Sequence, residues 1–137
     1  MTKSEIRTEK LAVPNGHFSQ ATESKPGGRL VFLSGMTARN QEGGVTGVGD
    51  VAAQTHQVCR NLQAAVEAAG GTLDDIARVD VYVRHMEDFS AIHAVRAQYF
   101  TGVPPASTLV EVSNFVNKDY LIEMNGIAVI HDGDDTK

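Results

Sequence analysis

The sequence predicts an α+β fold, a mixed β-sheet with two helices packed on one face, and three observations carry that reading. Two long stretches, after Asp50 and after Glu87, place apolar residues at helical spacing. Short alternating or wholly apolar runs precede, separate and follow them. Glycine pairs and a Pro104-Pro105 step punctuate the boundaries. The resulting order is strand, strand, helix, strand, helix, strand, strand. One domain over residues 1–131 holds all of these, with residues 132–137 as a polar tail.

His17 to Ala21 is read as a short first strand. Leu30-Val31-Phe32-Leu33 is a buried strand, bounded by Gly27-Gly28 and Ser34-Gly35. Asp50 can cap the free amides of the next helix, whose inner face carries Val51, Thr55, Val58, Leu62, Val66 and Ala69. Gly70-Gly71 ends it, after about 20 residues and about 30 Å. Ile76 to Val83 alternates as a strand. Glu87 to Phe100 is helical again, with Phe89, Ile92, Val95 and Tyr99 on one face, and Gly102 and the prolines stop it.

Ser107 to Val112 and Leu121 to Ile130 close the chain as strands. Both helices bury their stripes on one sheet face. The other face is expected to carry Ser107, Glu111, Glu123 and Asn125 beside aliphatic residues. No third helix remains to cover it, so a second copy of the chain is the expected cover.

Composition narrows the function classes. The 137 residues carry 12 basic and 17 acidic side chains, a net charge of −5, which argues against a nucleic-acid partner. The single cysteine, Cys59, excludes a disulfide framework and a thiolate metal site. No apolar run approaches the roughly 20 residues of a membrane span. Met1 to Glu5 has no apolar core behind it and does not read as a signal peptide, so a reducing cytoplasm is the expected location.

Most apparent motifs have a plain structural reading. Five scattered histidines show no i, i+4 pair, and His85-Met86-Glu87 lacks the Pro-Cys-x-x-Cys half of a zinc deaminase signature, so no metal is expected. Gly47-Val48-Gly49-Asp50 would put a carboxylate where a pyrophosphate belongs, and reads as a loop and helix cap. Leu33-Ser34-Gly35 is not a nucleophile elbow. Cys59 reads as a buried thiol, and Asp74-Asp75 as a turn or cap. Polar groups near strand ends remain: Ser34, Gly35, Arg39, Glu87, Ser107, Glu111, Glu123 and Asn125.

Several of these sit in a pattern that resembles the YjgF/RidA (Rid) family of small homotrimeric enamine/imine deaminases, whose fold is similar to trimeric chorismate mutase. The likeness runs from about His17 to Val129. It rests on Phe18-Ser19-Gln20-Ala21, Phe32-Leu33-Ser34-Gly35, Asp50 to Thr55, Glu87-Asp88-Phe89, Pro105-Ala106-Ser107, Val110-Glu111-Val112 and Leu121 to Val129. The resemblance implies a homotrimer with its ligand cleft between neighbouring subunits. It also implies an arginine on the substrate carboxylate where this chain has Ser107, a glutamate where it has Asn125 and a tyrosine where it has Phe18.

A serine cannot replace a bidentate guanidinium, so these departures weigh against the standard 2-aminoacrylate activity. Thr37-Ala38-Arg39, Pro-Ala-Ser-Thr and Ile-Glu-Met-Asn-Gly look like the 2-aminomuconate deaminase branch.

The implied reaction is hydrolysis of a carboxylated enamine through its imine, releasing ammonia, with no cofactor. In that scheme Arg39 takes a carboxylate, and Ser34 and Gly35 give hydrogen bonds. Ser107 and Asn125 orient the amino group or the water, and Glu87 or Glu123 moves the proton. Phe18 and Phe89 are apolar walls. The alternative is a non-catalytic metabolite-binding or regulatory trimer. A ribonuclease, a label some family members carry, fits poorly with the acidic charge.

Overall fold

The computed structural model describes residues 3–133. Six strands and two helices follow the chain as β1 (Lys3–Ile6), β2 (Ala21–Ser24), β3 (Arg29–Met36), α1 (Val51–Ala68), β4 (Ile76–Val83), α2 (Phe89–Tyr99), β5 (Ala106–Glu111) and β6 (Ile122–Ile130). β3, β6, β4 and β5 form one sheet in that order, and β1 and β2 form a separate antiparallel pair. β6 lies antiparallel between β3 and β4, while β4 and β5 are parallel across the α2 crossover.

The helix after Asp50 begins as its sequence indicates: the Asp50 carboxylate accepts the Ala53 amide at 3.0 Å. Gly47, at φ +74°, makes the turn into it, a backbone state that side chains disfavour. The inner stripe of α1 buries Val58, Cys59, Leu62 and Val66 against Ile76, Val79, Val81, Ile122 and Met124 of the sheet. Each fully buried aliphatic side chain is worth roughly 1.5–3 kcal/mol. Gln54 is buried in the same helix and fully used. Its Nε2 donates to the Gly47 and Asp119 carbonyls, and its Oε1 accepts the Leu121 amide. That ties both flanking loops to α1.

Four expectations change. The first strand is not His17 to Ala21; the pairing strands are Lys3–Ile6 and Ala21–Ser24. Lys3 holds β1 down, donating Nζ to the Asp74 and Ile76 carbonyls, and a lysine stem gives no strand signal in sequence. Helix α2 starts at Phe89, because Met86–Asp88 forms a 3-10 turn.

Asp132, assigned to the polar tail, accepts from Arg29 Nη2 at 2.9 Å and is joined to β3. Residues 134–137 of that tail lie outside the described residues. Finally, Ser107 and Glu111 do not share the open face with Glu123 and Asn125. Ser107 pairs with Val79 and Glu111 with Val83, both on the helix side, whereas Asn125 pairs with Asp80 and Glu123 with Tyr82 on the open side. A strand alternates faces at every residue, so its neighbour's register decides the side.

Candidate functional site

Two hollows gather part of the predicted set of residues, one on each side of the sheet. The first, of about 340 Å³, lies between α2 and β5 and takes in Phe18, Phe89, His93, Arg96, Ser107 and Leu109. That volume is at the lower end of the range for small-molecule sites. Phe89, His93 and Arg96 stand at i, i+4 and i+7, so one stripe of α2 delivers all three. Phe18 arrives from a loop. Its neighbour Ser19 bonds the Pro105 carbonyl through its amide at 3.1 Å and bridges to Ala106, which lays the loop along the start of β5.

Aromatic and cationic groups are in close company there. Phe89 stacks on His93 with ring centroids 5.7 Å apart, and His17 meets His93 edge-on at 5.9 Å. The His17 Nε2 donates to the Phe100 carbonyl at 2.6 Å. Arg96 donates Nη2 to the Ser107 hydroxyl at 3.3 Å. Burial lowers the proton affinity of the Arg96 guanidinium, and it lowers that of His93 as well, helped by His17 and Arg96.

The second hollow, of about 270 Å³, lies on the open face and takes in Gly35, Tyr82, Asn114, Phe115, Glu123 and Asn125. A β-bulge between Leu33 and Met36 places Gly35 over β6. A Cβ on Gly35 would run into the Glu123 carboxylate, so only glycine allows that approach. Beside this hollow the open face is apolar: Phe32 is 72% exposed and Leu30 63%.

Of the nine residues expected at a site, Phe18, Phe89 and Ser107 meet in the first hollow, and Gly35, Glu123 and Asn125 in the second. Ser34 is exposed in the bulge and lines neither. Glu87 is exposed in the turn before α2 and lines neither, although Met86 and Phe89 on its flanks do. Arg39 is also outside both. It lies in a hairpin whose Thr37 and Arg39 carbonyls accept from Asn61 Nδ2 at 2.9 Å each, which holds it over α1.

His93, Arg96 and Tyr82 are the residues that sequence reading missed. Their spacing from Phe89 and from Val81 was available as a signal, but polar residues on a helix or strand read as solvent-facing. Three buried polar atoms without a partner mark the same places: His93 Nδ1, Arg96 Nε and Asn125 Oδ1. Among the described residues no group of three His, Cys, Asp or Glu stands together as a metal site. No helix among them is long and apolar enough to cross a membrane.

Known proteins share this framework. The family model for endoribonuclease L-PSP matches residues 8–130. A RutC family protein of Pyrococcus abyssi is 39% identical over 128 residues, covering 93% of this chain and 98% of its own. The crystal structure of YyfB, a Rid-family protein of Yersinia pestis, superposes with a TM-score of 0.86 at 31% identity, over 95% of this chain and 100% of that one. TdcF of E. coli, solved with bound serine, has a TM-score of 0.70 at 29% identity, over 93% and 99%.

Proposed function

This chain belongs to the endoribonuclease L-PSP family, which takes in the YjgF, RidA and RutC proteins, and from that premise we propose that it is a cofactor-independent hydrolytic deaminase of a small carboxylated enamine or imine. The observation that carries the reading is the first hollow: a small cavity walled by Phe18 and Phe89, with Ser107 and a buried cation inside. It suits a planar acid rather than a polymer. The serine in TdcF carries a nitrogen and a carboxylate on one small molecule, a pairing that a carboxylated enamine shares.

In this reading the enamine is protonated on carbon to give the iminium. Water adds to the C=N carbon, the C–N bond breaks, and ammonia leaves with an oxo acid behind. The protein's task is to bind the carboxylate, place the water and move one proton. Glu123 is the proton-transfer group. Asn125 and Ser107 orient the amino group or the water, and the backbone at Ser34-Gly35 donates hydrogen bonds.

Glu123 and Asn125 lie on the opposite sheet face from Ser107, so the full set forms only between two copies of the chain. The exposed Leu30 and Phe32 on that face favour a self-assembled cover, a homotrimer. The substrate favoured by Ser107, Asn125 and Phe18 is a 2-aminomuconate-like dienoate.

Ammonia release from a panel of enzymatically generated enamines tests the function, with 2-aminomuconate expected to turn over. Thermal stabilisation by such acids with no ammonia from any enamine would favour the metabolite-binding alternative. Sedimentation should give a trimer, and a monomer in solution would break the shared-site reading.

A further inference from the structure

The cavity between α2 and β5 is lined by a positive charge and, among the described residues, by no carboxylate. Arg96 is 3% exposed and lines the cavity. Its Nε has no partner, and its Nη2 bond goes to a neutral hydroxyl, Ser107, at 3.3 Å. Cys59, the group whose charge would best offset it, is a buried thiol pushed up to about 12 and therefore uncharged at neutral pH. Arg7 pairs with Glu5, Arg29 with Asp132 and Arg78 with Asp80, and none of these ion pairs reaches Arg96.

Burying an ion costs several kcal/mol unless an opposite charge meets it. The C-terminal end of α2 offers Arg96 only a partial charge. A site of this kind is completed by an anion from outside, and the free Nε–H belongs to the fork that grips a carboxylate through two bonds.

We propose that Arg96 is the ligand-binding cation of this cavity, seated by Ser107 and gripping the carboxylate of a planar unsaturated acid that lies against Phe18 and Phe89. Ser107 occupies the position at which the family resemblance implies an arginine, and Arg96 reaches that same hydroxyl from the opposite wall. The charge has moved from strand to helix, which sets the carboxylate against α2. His93, stacked on Phe89 with an unpartnered Nδ1, borders the same space. The inference rests on the proposed site's location and not on its chemistry.

Sorbate, an unreactive planar dienoate, is the probe, and sorbamide is its uncharged counterpart. Calorimetry should show sorbate binding, with sorbamide weaker by about 10- to 100-fold, the range for one charged hydrogen-bonded contact. Arg96→Met should lose binding by a similar factor, and Arg96→Lys should restore part of it. Arg96→Met should also keep or raise the melting temperature, because it removes an uncompensated buried charge, whereas a purely structural arginine would lower it. If that variant does not fold, the acid–amide comparison on the unmodified protein and on Ser107→Ala decides the matter.

No sorbate binding, equal affinity for the amide, or unchanged affinity in Arg96→Met overturns the proposal. Ammonia release by Arg96→Met at an unchanged KM would overturn it and leave the deaminase standing. Arg96-dependent sorbate binding without ammonia from any enamine would do the reverse.

Discussion

The hollow between α2 and β5 and the hollow on the open sheet face are lined by opposite chemistry. The first has aromatic walls, two histidines and a buried guanidinium. The second has a carboxylate, amides and a tyrosine beside a bulged glycine. Each keeps a buried polar atom with no partner in the chain. In the proposed reaction the first holds the acid and the second moves the proton, and β5 and β6 put them on opposite faces of a single sheet. The comparison teaches that one sheet can carry different chemistry on its two faces, and under the proposed reaction each face of a lone chain is a half-site. Leu30 and Phe32 stand exposed on the same face as the second hollow, the apolar surface that the proposed association would cover.

Substitutions can break this comparison in graded steps. The largest effect is expected on the open face. Glu123→Gln should lower kcat by about 100-fold or more with little change in KM, the usual scale for a proton-transfer group, measured by steady-state ammonia release. Gly35→Ala should reproduce much of that loss by displacing the same carboxylate. On the helix side the pattern should invert. Arg96→Met acts through ligand affinity by about 10- to 100-fold.

Phe89→Ala should raise KM by roughly three- to tenfold, the worth of one aromatic contact, and leave kcat nearly intact. Arg39→Ala, outside both hollows, should stay within about twofold of the unmodified protein, the scale of a surface change. A large loss there would show that a neighbouring copy's hairpin enters the site.

The smallest effect is a pH dependence. Burial, with His17 and Arg96, lowers the proton affinity of His93 in the folded chain. The unfolded chain therefore binds more protons below the ordinary histidine value of about 6.5. This contribution to stability is full above that value and is lost as pH falls through the folded one. His93→Asn should flatten that acid segment of the melting-temperature profile.

Much of the architecture was legible because local patterns and tertiary needs agree. Asp50 caps the helix that its position announced, and Val58, Leu62 and Val66 bury on the stripe that their spacing drew. The alternation of Leu121 to Ile130 announced the last strand, observed over Ile122–Ile130 and buried at every second residue. Lys3 to Ile6 was invisible because its strand depends on Lys3 bonds to carbonyls more than 70 residues away. Part of the lining of the two hollows was legible through Phe18, Phe89, Gly35, Ser107, Glu123 and Asn125. Arg96 was not, because a buried arginine and a solvated one look the same in a helix.

The sequence by itself determined the two helices, the four strands of the larger sheet and the side-chain inventory, since helical and strand periods are short-range properties of the chain. Only the tertiary structure decided which faces those side chains share. The β4–β5 register turned Ser107 toward α2 while the β6 register turned Asn125 away, and the packing of α2 closed Arg96 off from water. Register and helix placement depend on contacts between residues far apart in sequence, and no local pattern encodes them.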